Sequence, residues 1–164
     1  PVVLGAVPRG SARTTAPRTD GVLAWWVVAG CVFCQIVAGD LPARVVCEDD
    51  HTMGFLDVRP LFPGHVLLVP KVHVETLADL PDELVGPLFT ETRRLSAVME
   101  SALDAAGSFV AMNNKVSQSV PHLHVHVVPR NRKDGLKGFF WPRTGYTDDA
   151  HADQIAATLR AAGG

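Results

Sequence analysis

The sequence is short of several things. Only three of its 164 residues are cysteine, one is tyrosine, and 20% are charged, with a formal net charge of -2. Three cysteines in a chain this long do not make a disulfide scaffold. The near-neutral balance excludes bulk electrostatic capture of DNA or RNA, so no nucleic-acid partner is expected. The apolar run from Gly21 to Gly30 falls well below the ~18 residues that would span a bilayer, so no membrane partner is expected either. What is plentiful is apolar residue, at 47% of the chain. With balanced charge, that excludes intrinsic disorder and suits one ordinary domain with its own core.

The first thirty residues stand apart. Pro1 to Asp20 is rich in Pro, Gly, Ser, Thr and Arg and has no periodicity. Val28-Ala29-Gly30-Cys31 resembles a bacterial lipoprotein signal, but the apolar run before it is short and lacks a leucine-rich core. Residues 1–30 therefore read as a flexible N-terminal extension, and 31–164 as the folded part of a cytoplasmic protein.

Along that part, Cys31 to Gly39 reads as a short helix with Ile36 and Val37 turned inward. Arg44 to Glu48 and Thr52 to Asp57 read as a hairpin around Asp49-Asp50. His65 to Pro70 is almost continuously apolar, as in a strand buried on both faces. Pro81-Asp82-Glu83 opens a long helix, acids in its first turn, that runs to Gly107. Ser108 to Asn113 and His122 to Pro129 read as strands, and Asp148 to Ala162 as a C-terminal helix with Ile155 and Leu159 on one face. Antiparallel strands interrupted by one long helix give an α+β fold.

The chemistry lies in Pro121-His122-Leu123-His124-Val125-His126-Val127-Val128. Strand side chains alternate, so His122, His124 and His126 share one face at intervals of about 7 Å, while Leu123, Val125 and Val127 face a core. Packing does not call for three alternating histidines. A metal site is one explanation, since neutral imidazole binds zinc. The other is nucleophilic attack on phosphorus, for which imidazole is suited at neutral pH, with neighbouring imidazoles orienting it and donating to phosphoryl oxygens. Asn113 to Ser119 adds amide, hydroxyl and ammonium donors just upstream.

The row matches the pattern His-φ-His-φ-His-φ-φ (φ apolar), and the chain resembles the histidine triad (HIT) superfamily, in its Hint-like branch. The likeness includes Phe33, Leu41-Pro42-Ala43, Phe55-Leu56-Asp57, Pro63-Gly64-His65, Val69-Pro70-Lys71 and Gln118-Ser119-Val120, in the family's order. It implies an antiparallel sheet and a homodimer. It implies that His124 is the nucleophile that carries a nucleoside monophosphate covalently. His122 and His126 complete the catalytic row, with His126 also binding phosphate or ester oxygens. Ser119 would donate to the leaving-group atom and Gln118 to the phosphate. Asn113, or Asn114 in its place, would contact the phosphate region, because the loop after it is shorter than usual. Asp57 would accept from the ribose hydroxyls, and Val32, Phe33, Ile36, Phe55, Leu56 and Val58 would wall the base slot.

Cys31-Val32-Phe33-Cys34 is a C-x-x-C pair, ambiguous by itself. By resemblance to bacterial HIT proteins it holds a structural zinc with His73 and His122, His65 being the alternative to His73. Cys47 reads as an ordinary buried residue, and His51 and His151 as surface. Trp141 and the basic loop from Arg130 to Lys137 form a tail in which substrate choice would be set. The expected activity is that of a nucleotide hydrolase or transferase acting at the α-phosphorus of nucleoside 5′-phosphoryl compounds. The alternatives are a diadenosine polyphosphate hydrolase or phosphorylase, and a nucleotide-binding adaptor.

Overall fold

The computed structural model describes residues 30–136 and 145–163. The expected arm, with Trp25 and Trp26, lies outside them, as does Trp141. Residues up to Arg130 form one compact unit and those from Asn131 a second.

The first unit is built on a five-stranded antiparallel sheet in the order β1-β2-β3-β5-β4. The strands are β1 (Val45–Glu48), β2 (Thr52–Leu56), β3 (Val66–Pro70), β4 (Gly107–Ala111) and β5 (Val125–Arg130). A short helix, α1 (Val32–Val37), precedes them, and a long one, α2 (Asp82–Leu103), joins β3 to β4. The observed α+β class agrees with the sequence pattern.

Side-chain alternation in β3 explains why it is apolar throughout. Val66 and Leu68 pack with Leu84, Leu88, Leu95 and Met99 of α2. Leu67 and Val69 point the other way and join Phe33 and Cys34 of α1, with Met53 and Phe55 of β2. A strand between two apolar layers needs no polar face. Each fully buried side chain, such as Leu68 or Leu88, contributes about 1.5–3 kcal/mol through removal from water. The triad segment obeys the same alternation: Leu123, Val125 and Val127 belong to the α2 layer. The histidines between them take the α1 side, where the Phe33 ring lies 5.9 Å from that of His122 and 5.3 Å from that of His124.

Three boundaries differ from the sequence reading. The long helix stops at Asp104, whose backbone is left-handed at φ 53°, and Gly107 begins β4. Aspartate tolerates that conformation because its short polar side chain bonds locally. The triad strand starts at Val125, so His122 to His124 are extended but outside the ladder. Pro70 closes β3 without an N–H to give, and the Leu123 N–H donates to the Val74 carbonyl at 2.7 Å. His51 is half-buried, its Nδ1 shielded with no partner among the described residues.

In the second unit, α3 (Asp149–Gly163) matches the expected helix. Ile155 and Leu159 remain 39% and 68% exposed on it. Among the described residues, no helix is long and apolar enough to cross a membrane.

Candidate active site and metal cluster

The triad histidines differ in what each ring touches. His124 is buried, and its Nδ1–H donates to the carbonyl oxygen of His122 at 2.7 Å. A neutral ring that spends its proton there has a bare lone pair on Nε2. The His122 ring donates from Nε2 to the Pro70 carbonyl at 2.9 Å, which leaves the lone pair on Nδ1. Burial pushes the His122 pKa down to about 4, so the ring stays neutral.

His126 takes its tautomer from His65. The Leu61 N–H donates to His65 Nδ1 at 3.3 Å, so that nitrogen is an acceptor and the proton sits on Nε2. His65 Nε2 then donates to His126 Nδ1 at 3.0 Å. That leaves His126 with a proton on its own Nε2, the nitrogen not engaged by His65. Asp57 Oδ2 lies 3.5 Å from His65 Nδ1. Burial outweighs that carboxylate and lowers the His65 pKa, so the contact is not an ion pair. Burial first, then the neighbouring His124 and His65, pushes His126 to about 4 as well. Gly64 allows His65 its place: its φ is +96°, and a Cβ there would sit 2.5 Å from Leu103 Cδ1.

A cavity of about 800 Å³ opens beside these rings. His124, His126, Ser119, Asp57 and Val58 all line it. Val32, Phe33, Ile36, Phe55 and Leu56 supply apolar wall. Asp57 also caps its own turn by accepting from the Arg59 N–H at 2.8 Å. Three expected residues are absent from the lining: His122, Gln118 and Asn113. Gln118 is engaged within its own loop, accepting from Lys115 N and donating to the Glu75 carbonyl, both at 2.7 Å. Asn113 is exposed, and Asn114 accepts from Leu77 N at 2.7 Å. The sequence reading assigned no role to Arg44, Arg59, Leu67 or Val120, which also line the cavity. Their only signal was adjacency to motif residues, because loop approach depends on the tertiary fold.

Cys31, Cys34, His73 and His122 form a separate cluster. The sulfur-to-Nδ1 distances are 3.2 Å for Cys34–His73, 3.5 Å for Cys31–His122 and 3.6 Å for Cys34–His122. A zinc tetrahedron with bonds of about 2.3 Å to sulfur and about 2.0 Å to nitrogen has S···N edges of about 3.5 Å. The four residues therefore fit a tetrahedral ion in donor type and spacing. The bond from His122 Nε2 to Pro70 is the outer contact that orients such a ligand. His65 lies apart, against Asp57 and His126. Cys47 belongs to neither group: it is half-buried beside Glu91 and Arg94, and burial followed by Glu91 raises its thiol to about 12.

The HIT domain model matches residues 38–133, more than half of the chain. The chain belongs to the HIT domain family. A relative from Bacillus subtilis, named protein hit, is 36% identical over 113 residues, covering 68% of this chain and 78% of its own. The adenosine 5′-monophosphoramidase of Saccharomyces cerevisiae is 36% identical over 110 residues, 66% of this chain and 68% of that protein. The crystal structure of a zinc-bound histidine triad protein from Mycobacterium smegmatis superposes with a TM-score of 0.63 at 36% identity, covering 79% of this chain and 97% of that one. Similarity to such HIT-fold structures agrees with the α+β architecture.

Proposed function

We propose that this HIT protein is a nucleotide hydrolase or transferase that attacks the α-phosphorus of nucleoside 5′-phosphoryl compounds through His124. The observation that carries the reading is the 2.7 Å bond from His124 Nδ1 to the His122 carbonyl, in a ring that lines the cavity. It leaves a nucleophilic lone pair on Nε2 in the reactant state, with no base needed to expose it. Similarity to a monophosphoramidase supports the substrate class.

In this reading the base lies among Phe33, Phe55 and Ile36, and Asp57 accepts from the ribose hydroxyls. His124 Nε2 forms a bond to phosphorus as the bond to the leaving group breaks, and the leaving atom takes up a proton, with Ser119 donating to it. The Nε2–H of His126 stabilises charge on the phosphoryl oxygens. Water then attacks phosphorus, the P–N bond to His124 breaks, and the nucleoside monophosphate departs. Cys31, Cys34, His73 and His122 would hold zinc, which when bound supplies a structural cross-link between α1 and the triad segment. The edge strand β4 offers the place for a second copy to extend the sheet into a homodimer.

His124→Ala tests the mechanism. Turnover of an adenosine phosphoramidate is expected to fall by about 10⁴ or more, while AMP affinity measured by calorimetry changes only a few-fold. Turnover close to wild type would refute it.

A further inference from the structure

Among the described residues, the polar side chains that line the large cavity are Arg44, Asp57, Arg59, Ser119, His124 and His126. The nucleotidyl-transfer reading uses Ser119, His124 and His126 at phosphorus and Asp57 at the ribose. Everything else in the lining apart from the two arginines is apolar. A purine in this cavity therefore has Arg44 and Arg59 as the side chains left to meet its polar edge. Among the described residues neither guanidinium takes part in an ion pair.

The backbone ties Arg44 to the walls of the base slot. It directly follows Leu41-Pro42-Ala43, all three of which line the cavity. Its carbonyl accepts from the Leu56 N–H at 3.0 Å, and the next residue, Val45, pairs with Phe55. Arg59 is tied to the ribose acceptor instead, because its N–H donates to Asp57 Oδ1 at 2.8 Å. The Asp57 carboxylate also opposes a further anion on the ribose. Arg44 is thus left as a hydrogen-bond donor for the base rather than as half of an anion site.

We propose that Arg44 is a specificity-determining residue that selects guanine, or another 6-oxopurine, over adenine. This role rests on the nucleotidyl-transfer reading and narrows it to one class of base. A guanidinium offers N–H donors in a planar fork and no acceptor. Guanine presents two acceptors side by side, O6 and N7, which that fork can engage together. Adenine keeps N7 but carries an amino donor in place of O6, so one N–H of the fork would face another donor. A bidentate contact of this kind discriminates by about fivefold to over a hundredfold. Arg44 is exposed, so water competes and the low end applies, about five- to twentyfold.

The experiment measures kcat/KM for guanosine, inosine and adenosine 5′-phosphoramidates that carry the same amine, with wild type, Arg44→Ala, Arg44→Gln and Arg59→Ala. Wild type is expected to favour guanosine over adenosine by about five- to twentyfold. Inosine, which keeps O6 and N7 and lacks the 2-amino group, should follow guanosine. Arg44→Ala should bring the guanosine-to-adenosine ratio to within about twofold of one. Arg44→Gln should move it toward adenosine, because an amide offers one donor and one acceptor, the match for adenine N7 and its amino group. Arg59→Ala should keep the wild-type ratio. Turnover of guanosine and adenosine at equal efficiency by wild type overturns the role of Arg44 alone. So does a ratio that survives in Arg44→Ala, one that is lost in Arg59→Ala instead, or inosine that follows adenosine. No turnover of any of the three by wild type overturns the nucleotidyl-transfer reading, and the role of Arg44 with it.

Discussion

Replacing His65 by leucine removes both ring nitrogens while roughly keeping the buried volume. His65 is 2% exposed, so water does not substitute freely for what is lost. Two groups lose a partner: the Leu61 N–H, which donates to Nδ1, and His126 Nδ1, which accepts from Nε2. An orphaned polar group costs about 1–3 kcal/mol, toward the lower end where water reaches it, so the variant should be less stable by about 2–4 kcal/mol. The functional effect has two parts. A neutral hydrogen bond is worth about 1 kcal/mol net, so its loss lets the Nδ1–H form of His126 compete with the Nε2–H form. The ring is also freed to rotate, and a misplacement of about 1 Å can cost about a hundredfold. Single turnover of a phosphoramidate should therefore slow about ten- to hundredfold, while AMP affinity changes little. Nitrogen-15 NMR of the imidazoles reads the cause directly. In wild type His126 should be protonated on Nε2 and His65 on Nε2; in His65→Leu, His126 should show both forms. The reasoning fails if wild-type His65 carries its proton on Nδ1, which would reverse the hydrogen bond. It also fails if the variant keeps both the tautomer and wild-type turnover.

Purified protein that has met no chelator is expected to contain about one zinc per chain, and Cys34→Ala to lose it. Because metal binding adds to folding energy, that variant should unfold at lower urea concentration; metal-free wild type of unchanged stability would contradict this. Stability should also depend on pH in a definite direction. Burial holds the pKa of His126 down to about 4 in the folded protein, below the usual histidine value of 6.5. The unfolded chain therefore binds more protons between those values, so stability is complete above about pH 6.5 and falls as pH drops toward 4. Urea midpoints that stay level from pH 7 to pH 4.5 would refute the burial argument.

The chemistry of the site was legible where it depends on local spacing. Alternation alone places Leu123, Val125 and Val127 on one face and the histidines on the other, because side chains in an extended chain change face at every residue; the structure sets the first face against the long helix. The C-x-x-C pair was visible for the same reason. The apolar character of β3 already required a layer on each side of the sheet. Other features were not legible, because they depend on residues distant in sequence. Local composition gives Gln118 and Asn113 the same donor groups whether they face phosphate or their own loop. The carbonyl of Glu75, 43 residues away, decides for Gln118.

By itself, then, the sequence determined the α+β class, the face on which the histidines stand and the donor types available to a metal. Only the tertiary structure decided which histidine does what. His73 follows Lys71-Val72 and His65 follows Pro63-Gly64, and neither context names a partner, yet the first reaches Cys34 Sγ at 3.2 Å and the second His126 at 3.0 Å. A tautomer is set by the partner of the opposite ring nitrogen. For His122, His124 and His65 those partners are main-chain groups of Pro70, His122 and Leu61, which only folding brings within reach.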